Sequence, residues 1–111
     1  MHIDDNSRLR HMLDAAQQAI RFARGKNRQA LERDEMLTFA ILRALEIVGE
    51  AASQVSKKFQ VAHPEIPWPQ IIGMRNHLVH AYFDVDVERV WDTVTDDLPP
   101  LITALKQIVR K

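Results

Sequence analysis

Apolar residues recur every three or four positions from near the start of the chain, and they predict a first amphipathic helix over residues 4–24. Asp4 or Asp5 can cap its start by accepting backbone N–H bonds, and Gly25 suits its end because glycine accepts a left-handed conformation. The polar residues 26–33 that follow predict a surface turn or loop.

A second and longer helix is predicted over residues 34–59, with Asp34 as its N-cap. Apolar residues cover most of its circumference, which indicates burial on two sides, against the core and against a partner subunit. Glu46 and Glu50 lie one turn apart on this helix. Such a pair can bind a metal or transfer protons, but two solvated or arginine-paired glutamates are the commoner arrangement.

Prolines divide the rest of the chain. Three of them in residues 60–69 predict a rigid connector, and Pro69 fits the first turn of a third helix that carries residues 75–82. A fourth helix is predicted to begin at Asp86, and a last helix contains Leu101 to Val109 and ends at two basic residues. The residues expected to break or kink the path between them are Asp96, Asp97, Pro99 and Pro100.

No alternation of period two persists anywhere, so the sequence predicts a single all-α domain over residues 1–111, a compact bundle of four to five helices. The chain is long enough to bury a core without disulfides, and it contains no cysteine, which fits a reducing cytoplasm. The polar, acidic N-terminus is unlike a signal peptide, and no apolar run predicts a membrane span.

Formal net charge is zero, with 15 basic and 15 acidic residues. A general nucleic-acid binder usually carries a basic excess, so any contact with RNA must come from a local cluster. The three glycines are scattered and form no phosphate-binding loop, and nothing in the sequence predicts a cofactor.

The densest chemistry lies in residues 75–82, Arg-Asn-His-Leu-Val-His-Ala-Tyr. On a continuous helix, Asn76 and His80 are one turn apart and face one spot, whereas Arg75 and Tyr82 share another. The two sets flank a broad groove face. A single helix presents them poorly, so we expect an adjacent helix, or a second copy across a twofold axis, to complete the site.

This set of side chains suits the cleavage of a phosphodiester. Arg75 can neutralise a phosphate by forked hydrogen bonds, and His80 can transfer a proton near neutral pH. Asn76 can orient the histidine or a phosphate oxygen. If the substrate is RNA, its own 2′-hydroxyl can be the nucleophile, so neither a metal nor a protein nucleophile is needed. An arginine and a histidine in a short helix are also common as structural residues.

The stretch resembles the Arg-x4-His-x-Tyr motif of HepT-like toxins, a branch of the HEPN ribonuclease superfamily. Further segments in the same order resemble that family and extend the likeness over nearly the whole chain. They are Ile47-Val48-Gly49-Glu50-Ala51, Pro67-Trp68, Tyr82-Phe83-Asp84-Val85-Asp86, Val90-Trp91 and Asp97-Leu98-Pro99-Pro100-Leu101.

The resemblance implies a HEPN-type helical bundle that forms a homodimer with both motifs in one cleft, and a metal-independent endoribonuclease. Arg75 and His80 are then catalytic, with Asn76 as a supporting polar group. The resemblance also implies a toxin held in check by a minimal nucleotidyltransferase antitoxin, which in some pairs adds AMP to the motif's tyrosine, here Tyr82. A bulky anion there blocks an incoming phosphate. His77 occupies a variable slot and inherits no role.

Two alternatives remain open. The chain is a non-catalytic helical subunit of a nucleotidyltransferase complex if the motif serves only for docking and modification. A metal site from His77 and His80, spaced i, i+3, with Glu50 is the second, although two histidines are a weak signal. The other histidines, at 2, 11 and 63, are interpreted as surface residues.

Overall fold

The computed structural model of the chain describes residues 4–81 and 84–109, and of His80 and Ala81 it describes the backbone. Its two longest helices are α1, Asp5–Ala23, and α3, Glu35–Ser53. Asp4 accepts a hydrogen bond from the Ser7 backbone at 2.8 Å, and Asp34 accepts one from Leu37 at 3.1 Å. The first predicted helix and both capping residues are therefore confirmed.

The expected loop over residues 26–33 is wrong, because it contains a short helix, α2, Arg28–Arg33. Asn27 caps this helix by accepting from the Ala30 backbone at 2.9 Å, a role the sequence reading overlooked.

The single helix expected over residues 34–59 is also wrong. It divides after Ser53, and α4, Lys57–Ala62, begins separately. Ser56 caps α4, and Asp5 of α1 accepts hydrogen bonds from its backbone and side chain at 2.9 and 2.7 Å. These polar contacts fix the break between the two helices, because they hold Ser56 in extended rather than helical backbone.

The core forms where α1, α3 and the C-terminal helix pack together. Small residues of α1 allow close approach, and larger ones fill the space between the helices. Each fully buried leucine, isoleucine, valine or methionine contributes roughly 1.5–3 kcal/mol relative to exposure. The fully buried side chains include Leu9, Met12, Ala16, Ala19, Ile41, Leu45, Val48, Ala52, Val90, Leu98 and Leu105.

The breadth of the apolar surface of α3 is largely explained within the chain itself. Ala44 and Ala51 are both buried in the core, so they lie on no surface that a partner could cover. The large apolar side chains that α3 leaves exposed are Met36, 83% exposed, and Phe39, 54% exposed. If the predicted homodimer forms through α3, the contact must involve the N-terminal end of that helix, where Met36 and Phe39 lie.

The C-terminal third forms one helical path. Asp86 caps α7, Val87–Asp92, by accepting from the Arg89 backbone at 3.1 Å, as predicted. A π-helical turn, Thr93–Asp97, leads directly into α8, Leu98–Val109. The predicted break is therefore a change of helical pitch. Pro99 and Pro100 fit there because the first turn of a helix needs few backbone donors.

Short helices α5, Trp68–Ile72, and α6, Met74–Leu78, complete the helical part. Beyond α6, the backbone forms a small antiparallel pair, β1, Val79–Ala81, with β2, Asp84–Val85. The predicted all-α class is confirmed, with this local pairing as its one addition among the described residues. Within the same ranges, no helix is both long and apolar enough to cross a membrane.

Candidate active site

The segment that carries the motif is anchored on α3 through a glycine. A Cβ atom at Gly49 would lie 3.0 Å from the backbone oxygen of Ile71 in α5, a distance that real Cβ atoms rarely show. The absence of a side chain thus lets α5 cross α3 in backbone contact. Trp68, also in α5, is buried and donates from Nε1 to the His63 backbone oxygen at 3.0 Å. These contacts place the start of α6 beside α3.

The predicted third helix is interrupted twice. Gly73 separates α5 from α6, and α6 ends at Leu78. The Leu78 backbone oxygen accepts from the Asp86 N–H at 2.7 Å, and Val79 lies opposite Val85 in the strand pair. Partners from β2 therefore replace the next helical turn, which is why a local reading of the sequence missed this end.

This ending corrects the helical-wheel argument. His80 lies in β1, so it does not follow Asn76 by one helical turn. Tyr82 and the side chain of His80 lie outside the described residues. Their positions relative to Arg75 remain predictions. Arg75 and Asn76 are both exposed residues of α6, and the Asn76 backbone N–H donates to the Gly73 oxygen at 3.1 Å.

Arg75 is held by a carboxylate of α3. Its Nε donates to Oε2 of Glu46 at 2.7 Å. The Glu46 side chain is 19% exposed and that of Arg75 is 57% exposed, so the carboxylate is the more enclosed partner. Because the contact uses only one edge of the guanidinium, its two terminal nitrogens remain available to bind an anion such as a phosphate.

A row of alternating charges continues from this pair along α3. Nη1 of Arg43 lies 3.7 Å from Oε1 of Glu46 and 3.2 Å from Oε1 of Glu50. The interpretation of Glu46 and Glu50 as arginine-paired is thereby confirmed. The partnership of Glu46 with Arg75 was missed, although Glu46 and Gly49 share a helix face at i, i+3 and Gly49 marks where the motif segment crosses.

A cavity among the described residues opens away from Arg75 and Asn76. A cleft of about 620 Å³ lies between α5 and α6 on one side and α7 to α8 on the other. His77 lines it together with Arg89, Asp92 and Asp97, whereas Arg75 and Asn76 do not. Burial raises the pKa of the Asp97 carboxyl, and the nearby Asp96 and Asp92 raise it further while Arg89 opposes them.

The described residues give no support to the alternative metal site. Glu50 pairs with Arg43 on α3, and His77 lines the separate cleft. Among the described residues, no three histidine, aspartate or glutamate side chains form a group that could hold a metal ion.

His63 has the partners that the sequence did not reveal. Its ring stacks on Phe59 with centroids 4.2 Å apart, and its Nδ1 lies 3.1 Å from Glu65. A backbone hydrogen bond lowers the pKa of Glu65, and the contact with His63 lowers it further. His63 is thus a structural residue at the end of α4. The interpretation of His63 as a surface residue holds only in part, because its side chain is 30% exposed.

Comparison with known proteins matches the sequence of this chain to one family. The ribonuclease HepT-like family profile matches residues 12–108. A protein of Thermococcus cleftensis named "Probable ribonuclease HepT" is 50% identical over 68 residues, 61% of this chain and 62% of the relative. One of Caldanaerobacter subterraneus, named "Putative RNase", is 36% identical over 103 residues, 93% of this chain and 92% of the relative. No solved structure matches significantly.

Proposed function

The chain belongs to the ribonuclease HepT-like family, and from that premise we propose that it is the toxin of a toxin–antitoxin pair, a metal-independent endoribonuclease. Arg75 and His80 are its catalytic residues, and Asn76 supports them. The observation that carries the proposal is the state of Arg75. Its guanidinium is held by Glu46 at Nε, yet the side chain is more than half exposed, as a phosphate-binding group on a polymer-cleaving enzyme needs to be.

The reaction follows from these groups. His80 takes the proton of the RNA 2′-hydroxyl, and the 2′-oxygen attacks the adjacent phosphorus. As the new O–P bond forms, the bond from phosphorus to the 5′-oxygen breaks, which leaves a 2′,3′-cyclic phosphate and a 5′-hydroxyl. Arg75 neutralises the charge that grows on the phosphate oxygens. The leaving 5′-oxygen takes a proton from His80 of a second copy or from water.

A homodimer is part of the proposal because one copy offers a single His80 for two proton transfers. A stripe of residues along the exposed side of α3 supports the homodimer. Met36 and Phe39 lie at i, i+3 on that stripe, which continues through Arg43 to Glu46, the partner of Arg75. Contact between the apolar ends of two such stripes brings two Arg75 side chains toward a shared cleft.

Control of the toxin completes the proposal. The neighbouring partner is a minimal nucleotidyltransferase antitoxin, which silences the enzyme by binding it or by transferring AMP from ATP to Tyr82. An adenylyl group adds bulk and negative charge to the motif segment and repels an incoming RNA phosphate. A cytoplasmic location is part of the proposal, because cellular RNA and ATP are both found there.

Growth of cells that express the protein tests the toxin assignment. Wild-type expression should arrest growth and fragment cellular RNA. His80→Ala should do neither, while remaining folded and of the same oligomeric state. Co-expression of the adjacent nucleotidyltransferase should restore growth and add the mass of AMP to the tryptic peptide containing Tyr82. Harmless expression of the wild type with intact RNA would instead favour a non-catalytic subunit.

A further inference from the structure

A second recess opens on the same side of α3 as the charged row. It has a volume of about 420 Å³ and lies between α1 and α3. Arg8 and His11 line it from α1, and Glu50, Ser53 and Gln54 line it from α3. The recess is thus rich in groups that donate hydrogen bonds.

The Arg8 side chain is the main reason to regard the recess as a binding site. Its Nε atom is buried and has no hydrogen-bond partner among the described residues. A buried charged donor without an acceptor is unfavourable, so the site gains from any ligand that brings one. Because Arg8 lines the recess, its guanidinium can pair there with the oxygens of a phosphate.

The charges in the recess also favour an anion. Glu50 is its one carboxylate, and Nη1 of Arg43 lies 3.2 Å from that carboxylate. Its negative charge is therefore offset by Arg43, whereas Nε of Arg8 has no hydrogen-bond partner among the described residues. His11 and the Gln54 amide add donors beside it.

The recess is close to the proposed catalytic arginine. Arg43 bridges Glu50, which lines the recess, and Glu46, which holds Arg75. Glu46 and Glu50 are one turn apart, which is a rise of about 6 Å along α3. A strand bound at Arg75 can therefore continue over Arg43 into the recess. We infer that the recess binds the phosphate of an RNA nucleotide next to the one that is cleaved, which rests on the proposed ribonuclease function.

RNA binding by variants at Arg8 tests this inference. All proteins carry His80→Ala to prevent cleavage, and fluorescence anisotropy measures Kd for a dinucleotide and for an RNA of roughly ten nucleotides over a salt series. Arg8→Gln should weaken binding of the longer RNA about tenfold. It should leave the dinucleotide unchanged and reduce the salt slope by about 0.7, the loss of one phosphate contact. Arg8→Lys should fall between, because it keeps the charge without the fork.

Arg10→Gln is the matched control, since it removes the same charge from an exposed position of α1 outside the recess. Equal effects of Arg8→Gln and Arg10→Gln on both RNAs would overturn the inference while leaving the proposed function intact. Absence of RNA binding by the parent, with no cleavage by the wild type, would overturn the proposed function and the recess with it. Thermal unfolding of each variant establishes that the folded proteins are being compared.

Discussion

Arg75 Nε and Glu46 Oε2 form a hydrogen bond of 2.7 Å between residues 29 positions apart, and this bond joins the motif segment to the central helix. In the proposed reaction, the enclosed carboxylate is a positioning residue for the guanidinium. It occupies Nε, so a substrate phosphate would meet the two terminal nitrogens. The orientation would be set before RNA arrives, which removes part of the entropic cost of reaching the transition state.

Glu46→Ala should therefore lower kcat about ten- to a hundredfold in RNA cleavage, because Arg75 loses its fixed orientation. KM should stay constant or fall, since a negative charge beside the RNA phosphate is removed. Glu46→Gln keeps an acceptor oxygen and should recover part of kcat. Steady-state kinetics on a fluorescent RNA gives both parameters.

The matched control is Glu88→Gln, which removes a carboxylate from a surface pair with Arg28 at 3.6 Å and should change neither parameter. A rise in KM at constant kcat after Glu46→Ala would contradict the positioning role and point to lost binding instead.

Because α5 crosses α3 in backbone contact at Gly49, a larger side chain at this position should destabilise the protein. Gly49→Ala places a Cβ 3.0 Å from the Ile71 backbone oxygen, so the backbone of α5 must shift by a few tenths of an ångström. The cost should be about 1–3 kcal/mol in the free energy of unfolding, which urea denaturation measures. Ser53→Ala, at an exposed position of the same helix, should change that free energy by roughly 0.5 kcal/mol or less. An unaltered midpoint for Gly49→Ala would show that the contact is not tight.

Two substitutions to glutamate on α3, one at a buried position and one at an exposed position, should distinguish a loss of folding from a loss of dimerisation. Ala44→Glu introduces a carboxylate into the core, so it should unfold the protein or reduce its helical circular dichroism strongly. Met36→Glu alters a position that is 83% exposed, so it should retain the helical spectrum while shifting the sedimentation coefficient from dimer to monomer. A wild type that sediments as a monomer at every concentration is incompatible with the shared-cleft proposal.

Because Asp97 lies in the cleft with a raised pKa, we expect its ionisation to make the stability of the protein depend on pH. Because burial raises the pKa of Asp97 in the folded protein, its ionised form destabilises that state at neutral pH. Asp97→Asn should raise the melting temperature at neutral pH, and the gain should shrink as pH falls through the folded pKa and vanish below the unfolded one. Asp14→Asn, on the exposed face of α1, is the control. A gain that does not depend on pH would contradict the ionisation argument.

Local interactions were readable from the sequence and distant ones were not. Asp4, Asp34 and Asp86 each cap a helix by bonding a backbone N–H three residues onward, so the nearby residues suffice to predict them. The end of α6 at Leu78 depends instead on pairing with residues 84–85, and no helical pattern reveals that choice.

The candidate site divides in the same way. Residue types alone suggested that Arg75 belongs to the chemistry of phosphate cleavage. The family comparison shows a ribonuclease family, and the role of Arg75 within it stays a prediction. Its partner Glu46 and the Arg8 recess depend on how α1, α3 and α6 pack, which requires the fold. The helical-wheel pairing of Asn76 with His80 failed because it assumed that one helix spans both residues.

Cleavage of RNA by the purified protein in a chelator tests the central claim most directly. Wild type is compared with Arg75→Ala and His80→Ala, each confirmed to be folded by circular dichroism. The proposal predicts that the wild type cuts RNA and leaves 2′,3′-cyclic phosphate ends, that an RNA with 2′-O-methyl groups stays intact, and that both variants lose activity by at least about a hundredfold. Full activity of both variants, or cleavage only after a metal is added, would contradict it.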